Sequence, residues 1–145
     1  SNIDGKIVDP QWRTKGNVVP QFLSAILDGK NSLKIYGTDY PTPDGTCIRD
    51  YIHVDDIISA HMIALDSEIE GVFNLGSSEG WSVWNVVENT VAVTNMEIDV
   101  DHKPRRDGDP PILVADSTRF RNLTNWEPTY TLKEMIASAW KAYRK

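Results

Sequence analysis

Two arginines and an aspartate carry the chemistry that this sequence makes conceivable. Arg49 emerges from "TDYPTPDGTCIRDYIHVDD", residues 38–56, where a polar, turn-rich loop runs into an apolar strand. Arg106 lies in "RRDGDPP", residues 105–111, with Asp109 three residues on. Pro41, Pro43 and Gly45 limit the first loop, and Gly108 with Pro110 and Pro111 fixes the second. Arginine presents a planar fork of donors suited to phosphate, and aspartate accepts from sugar hydroxyls. Tyr36, just before the first loop, could stack on a flat base, and Asn17, at a helix start, could pair with that base's polar edge. Each residue also has a plainer reading: a solvated turn, a core tyrosine, a helix cap. Together they make a plausible nucleotide-diphosphate pocket.

Other chemistries find less support. "GSSEG", residues 76–80, matches the G-x-S-x-G of a hydrolase elbow, but Gly80 and Trp81 separate Ser78 from the cap expected at Ser82. His102 is the only histidine downstream, so the stretch reads as a strand–helix turn. His53, His61 and His102 lack metal-ligand spacing and have no cysteine partners, and no metal is expected. His53 is expected in a strand and His61 on a half-buried helix face, both structural.

The elements that must position these groups alternate along the chain. Helices are expected from Asn17 with Val18, Val19, Phe22, Ile26 and Leu27 on one side, from Asp55 or Asp56, from Ser82 through Val91, near Ser117, and from Thr131 with Glu134 as a capping box. Strands are expected at "LKIYG", "IRDYIHV", "GVFNLG", "EIDVD" and "ILVA". The pattern is α/β, in one domain over residues 1–145. Hydrophobic residues at 40% and charged residues at 25% fit a globular chain. A net charge of −6 speaks against a nonspecific nucleic-acid surface. The single cysteine, Cys47, forms no internal disulfide and suits a reducing cytoplasm. No apolar run approaches the roughly 20 residues that span a bilayer.

"YGTDYPTPDGTCIRDYIHVDDIISAH" resembles the signature segment of the NAD-dependent UDP-glucose 4-epimerases, and "RRDGDPP" followed by "VADS" resembles a later one. "NVVPQFLSAILDG", "GVFNLGS" and "NWEPTYTL" agree, so the resemblance runs from about Asp4 to the end. "RDYIHV" alone is shared by many nucleotide-sugar enzymes; "TDYPTPDGT" in front of it makes the match strong. The resemblance implies that Asn17 and Val18 meet the uracil–ribose end, that Lys34, Ile35 and Tyr36 line the base, and that Arg49 and Arg106 hold the diphosphate. It further implies that Asp109 bonds the ribose and that Leu113 lines the hexose end.

That family moves hydride at the sugar's C4 with NAD, using a tyrosine with a lysine four residues later as base. This chain has no glycine-rich dinucleotide fingerprint, and none of its five tyrosines has such a lysine. The expectation is a mixed small-sheet and helix substrate-binding domain of an extended short-chain dehydrogenase, without the N-terminal Rossmann domain. It would bind UDP-glucose, UDP-galactose or UDP, hold no NAD and be inactive alone. NAD would belong to the full-length enzyme of galactose metabolism. Alternatives are a stand-alone nucleotide-sugar binding module or truncated remnant, a fragment that recruits a separate Rossmann chain, or part of another UDP-sugar epimerase or dehydratase. Exposed apolar helix faces would favour a homodimer. The loops at 37–47 and 103–111 are expected to be mobile without ligand.

Overall fold

A computed structural model describes residues 17–30 and 32–144; the ends of the expected 1–145 domain and Asn31 lie outside the described residues. The α/β expectation holds. Helix α1 (Val18–Leu27) leads to strand β1 (Ser32–Tyr36), and β2 (Ile48–Asp50) to α2 (Val54–Asp66). Then come β3 (Gly80–Ser82), α3 (Val83–Thr94), β4 (Asp99–Lys103), β5 (Ile112–Leu113), α4 (Thr118–Thr124) and α5 (Leu132–Tyr143).

Two small sheets result. In one, β1 runs parallel to β4, with Tyr36 opposite Lys103. In the other, β2 is central, antiparallel to β3 and parallel to β5. Arg49 therefore lies between Trp81 and Leu113. On β1 the alternation of exposed Ser32 and Lys34 with buried Leu33 and Ile35 is the two-residue period of a strand. Those two side chains join Phe22 of α1, Val86 of α3 and Ile136 of α5 in the main core. Ile136 is fully buried, and cutting such a side chain to alanine costs roughly 2–5 kcal/mol. A second cluster sets Ala60 of α2 against Phe120 and Trp126, whose rings meet edge to face at 5.6 Å.

The capping signals behave unevenly. Thr131 Oγ1 accepts from the Glu134 amide while Glu134 Oε2 accepts from the Thr131 amide, the expected box. Ser82 caps α3 as expected, and its amide in turn donates to Asn85 Oδ1. Asn17 precedes α1 but makes no side-chain cap bond, and neither does Ser117 before α4. Ahead of α2 the cap is His53, whose Nδ1 accepts from the Asp55 amide, so the helix starts before the expected Asp55 or Asp56.

Three further expectations need correction. On α1 the buried side chains are Phe22, Leu23 and Ile26, while Leu27 is exposed, because the helical period carries it past the core. On α3, Thr90 is buried in place of Val91, its hydroxyl satisfied by the Val86 carbonyl at 2.7 Å. "GVFNLG" forms no strand. Strands need a hydrogen-bonding neighbour, and no described strand pairs with residues 71–76.

Candidate functional site

A cleft of about 770 Å³ opens between the start of α1, the segment from β2 to α2, and α5. Each wall contributes for a local reason. Asn17 and Val18 stand at its rim because the chain is extended at Asn17 and turns helical at Val18. Arg49 faces it from the centre of the three-stranded sheet, and Arg106 and Asp109 reach it from the loop between β4 and β5. Met135, Ser138, Ala139 and Ala142 give it an α5 floor.

The polar groups are paired with one another. Arg49 donates from Nη2 to Asp109 Oδ1 at 2.6 Å and from Nη1 to its own strand's Ile48 carbonyl at 2.8 Å. Five guanidinium N–H groups exist, so three remain for a ligand. The Arg106 guanidinium lies over the Tyr36 ring, 3.9 Å from its centroid. Arg105 turns the other way: Nε donates to Asp39 Oδ1 at 2.7 Å, Nη2 donates to the Asp39 carbonyl, and the guanidinium lies 4.3 Å from the Tyr40 ring centroid.

Of the expected site residues, the cleft thus gathers Asn17, Val18, Arg49, Arg106 and Asp109. Lys34, Ile35, Tyr36 and Leu113 are not in its lining. Ile35 is fully buried in the core. Lys34 is exposed on β1, and Tyr36 reaches the site through Arg106. Leu113 is 61% exposed and stands beside Arg49 in the sheet, outside the cleft proper.

Sequence reasoning passed over Asp50. Like its neighbour Arg49, it borders the cleft. Its carboxylate accepts from the Ser77 hydroxyl at 2.5 Å, the Ser77 amide at 3.1 Å and the Ala115 amide at 3.2 Å, tying two chain turns to β2. A Cβ on Gly76 would come within 2.1 Å of that carboxylate, so only glycine allows the approach. Asp56 acts alike on α2, accepting from the Thr129 amide and hydroxyl and the Tyr130 amide. The signal that could have found both was an acid in an otherwise apolar stretch.

The 37–47 loop is bonded internally. Tyr40 N donates to Gly45 O at 2.9 Å, Thr42 Oγ1 to Thr46 O at 2.7 Å, and Asp44 Oδ1 accepts from both the amide and hydroxyl of Thr46. Burial works to raise the Asp44 carboxyl, but hydrogen bonds from Ser82 and Thr46 outweigh it and hold the group below 3.8. Inside the cleft, burial pushes the Tyr51 hydroxyl up to about 12 and the Cys47 thiol upward. The Tyr51 hydroxyl has no hydrogen-bond partner among the described residues.

Two serines invite comparison with hydrolases. Ser78 sits at φ 57°, but its hydroxyl meets Ser117 Oγ at 2.8 Å and no histidine. Ser138 Oγ lies 2.7 Å from His53 Nε2, and Asp55 is near the far side of that ring. His53 Nδ1 accepts the Asp55 amide, which places the ring proton on Nε2 and aims it at Ser138. In that tautomer His53 cannot take the serine proton, so the trio is a helix cap and not a nucleophile. His61, expected half-buried, is exposed, with Nδ1 against the Ile57 carbonyl at 2.7 Å.

A family profile described as GDP-mannose 4,6 dehydratase matches residues 9–139. The chain belongs to this family. It is 39% identical over 133 residues to a UDP-glucose 4-epimerase of Lactobacillus helveticus, covering 88% of this chain and 40% of that protein. Among solved structures, the UDP-Glc/GlcNAc 4-epimerase of Campylobacter jejuni superposes with a TM-score of 0.81 at 42% identity, covering 97% of this chain and 45% of the other. The UDP-glucose 4-epimerase of Bifidobacterium longum, in complex with NAD+ and UDP, superposes with a TM-score of 0.77 at 34% identity over 88% of this chain and 39% of that one. The chain thus spans less than half the length of these relatives.

NAD calls for a strand, a glycine-rich turn and a helix that let backbone approach the pyrophosphate. No G-x-G-x-x-G occurs in the sequence, and the described sheets have two and three strands. Among the described residues no such dinucleotide-binding unit is present.

Proposed function

We propose that the cleft takes the nucleoside diphosphate of a UDP-sugar, as the substrate-binding portion of a UDP-glucose 4-epimerase acting between UDP-glucose and UDP-galactose. One observation carries this reading: Arg49 converges with Arg106 and Asp109 of a later loop, and with Asn17 and Val18, on one cleft. The likeness to epimerases supports it.

Binding is an exchange of partners. The diphosphate takes the Arg49 donors that Asp109 partly occupies, and Asp109 turns to ribose hydroxyls. Arg106 leaves the Tyr36 ring for phosphate, and the uncovered ring takes the uracil. Leu113, beside Arg49, stands at the hexose end. Residues 1–145 act as the nucleotide-sugar domain, and the chain by itself does not epimerise, because it offers neither the dinucleotide fingerprint nor a tyrosine with a lysine four residues on. NAD enters with the rest of a full-length enzyme, in the cytoplasm, within galactose metabolism. The exposed apolar residues of α2 carry self-association into a homodimer.

Calorimetric titration with UDP and UDP-glucose tests the reading. Saturable binding is expected, weakened at least tenfold by Arg49→Ala and by Arg106→Ala, since a hydrogen bond to a charged group contributes about 1.5–3 kcal/mol. Absence of heat at millimolar ligand, or binding indifferent to both substitutions, would overturn it.

A further inference from the structure

The loop between β4 and β5 is framed at both ends. Gly37 N donates to the Lys103 carbonyl at 2.8 Å, and Ile48 N donates to the Pro111 carbonyl at 2.8 Å. Between these points, among the described residues, three of its side chains reach the rest of the chain: Arg105 to Asp39 and Tyr40, Arg106 to Tyr36, and Asp109 to Arg49. The last two use the groups that a nucleotide diphosphate would claim. Only the Arg105 contact is independent of ligand.

We propose that Arg105 is a positioning residue: it clamps the 104–110 loop to the 37–47 loop, so that Arg106 and Asp109 stay at the cleft while they exchange partners. This rests on the nucleotide-diphosphate reading of the cleft.

The pair of Arg105 with Asp39 is largely exposed, at 42% and 75%, and an exposed pair alone orders little. Here several contacts act on one side chain. The guanidinium bonds both the carboxylate and the carbonyl of Asp39 and covers the Tyr40 ring. Gly37 removes the obstacle beneath it: a Cβ there would stand 2.4 Å from Tyr40 Cε2 and 2.8 Å from Arg105 Cγ. The bond from Arg105 also holds the Asp39 carboxyl below its ordinary value. The receiving loop is firm, being closed by its own hydrogen bonds. Lysine would keep the charge but lose the planar fork and its stacking on the ring.

The test measures amide exchange across residues 104–110 in the ligand-free chain, and UDP binding by calorimetry, for wild type, Arg105→Ala and Arg105→Lys. The amide of Asp109, bonded to the Arg106 carbonyl at 3.3 Å, reports on the turn that presents both ligand-facing groups. Arg105→Ala is expected to speed that exchange about tenfold and to raise the Kd for UDP about tenfold, as the binding-competent fraction falls. The thermal midpoint should hold, and Arg105→Lys should fall between. Unchanged exchange overturns the clamp, as does faster exchange with an unchanged Kd. If wild type binds no UDP, the nucleotide reading falls, and exchange in the free chain alone decides the clamp.

Discussion

At the scale of single residues, Asp109 has two partners in prospect and one in hand. Its carboxylate holds Arg49 at 2.6 Å in a partly exposed pair worth about 1 kcal/mol. Asp109→Asn releases that hold, so pyrophosphate, which has no ribose, should bind the variant roughly fivefold more tightly. UDP should gain less, because asparagine is the poorer acceptor for ribose hydroxyls. Calorimetry with the two ligands separates the effects; equal changes for both would refute the division of labour. Asp44 makes a different kind of prediction. Its folded carboxyl sits below the ordinary 3.8, so it favours folding at neutral pH, where it is ionised in both states. That contribution fades as pH falls below 3.8 through the folded value. Asp44→Asn should therefore lower stability at pH 7 by about 1 kcal/mol or less, and the gap should close in acid denaturation followed by circular dichroism.

At the scale of elements, the loop before β2 depends on a backbone shape that only glycine supplies cheaply. Gly45 has φ 79°, and a Cβ there would lie 2.2 Å from the Thr38 carbonyl oxygen. Gly45→Ala should cost roughly 1–3 kcal/mol and loosen the seat of Arg105 with it. Thermal unfolding checks the first effect; unchanged stability would mean the loop closes by another route. What could be read from sequence follows the same divide between local and distant causes. The Thr131–Glu134 box and the Ser82 cap were legible because a cap is completed within four residues. So was "LKIYG" as a strand, which is β1. The His53 cap was hidden, because an apolar run toward Val54 looks like continuing strand until the ring bonds the Asp55 amide. "GVFNLG" has the composition of a strand, but pairing is decided by what lies alongside it. At the site, Arg49, Arg106 and Asp109 were legible as types, whereas the turning of Arg105 away to Asp39 depends on two loops meeting. Asp50 and Asp56 serve the fold: each accepts from this chain's own backbone amides, so their charge is spent inside the molecule.

At the scale of the whole molecule, α2 is packed on one side only. Asp56 and Ala60 are buried, while Val54, Ile58, Met62 and Leu65 are each more than half exposed. Their spacing of four, four and three residues sets them along one helical stripe. If that stripe carries self-association, Ile58→Glu should shift the chain toward monomer in sedimentation velocity without changing its helical content. A wild type that sediments as monomer at high concentration would remove the proposal. The paired state of the cleft has a consequence on the same scale. Electrolyte weakens the contact between a guanidinium and a phosphate, but it weakens the contact between Arg49 and Asp109 in the same sense. Because a diphosphate replaces one screened partner with another, its affinity should respond less to ionic strength than that of a pocket whose arginines wait in open water.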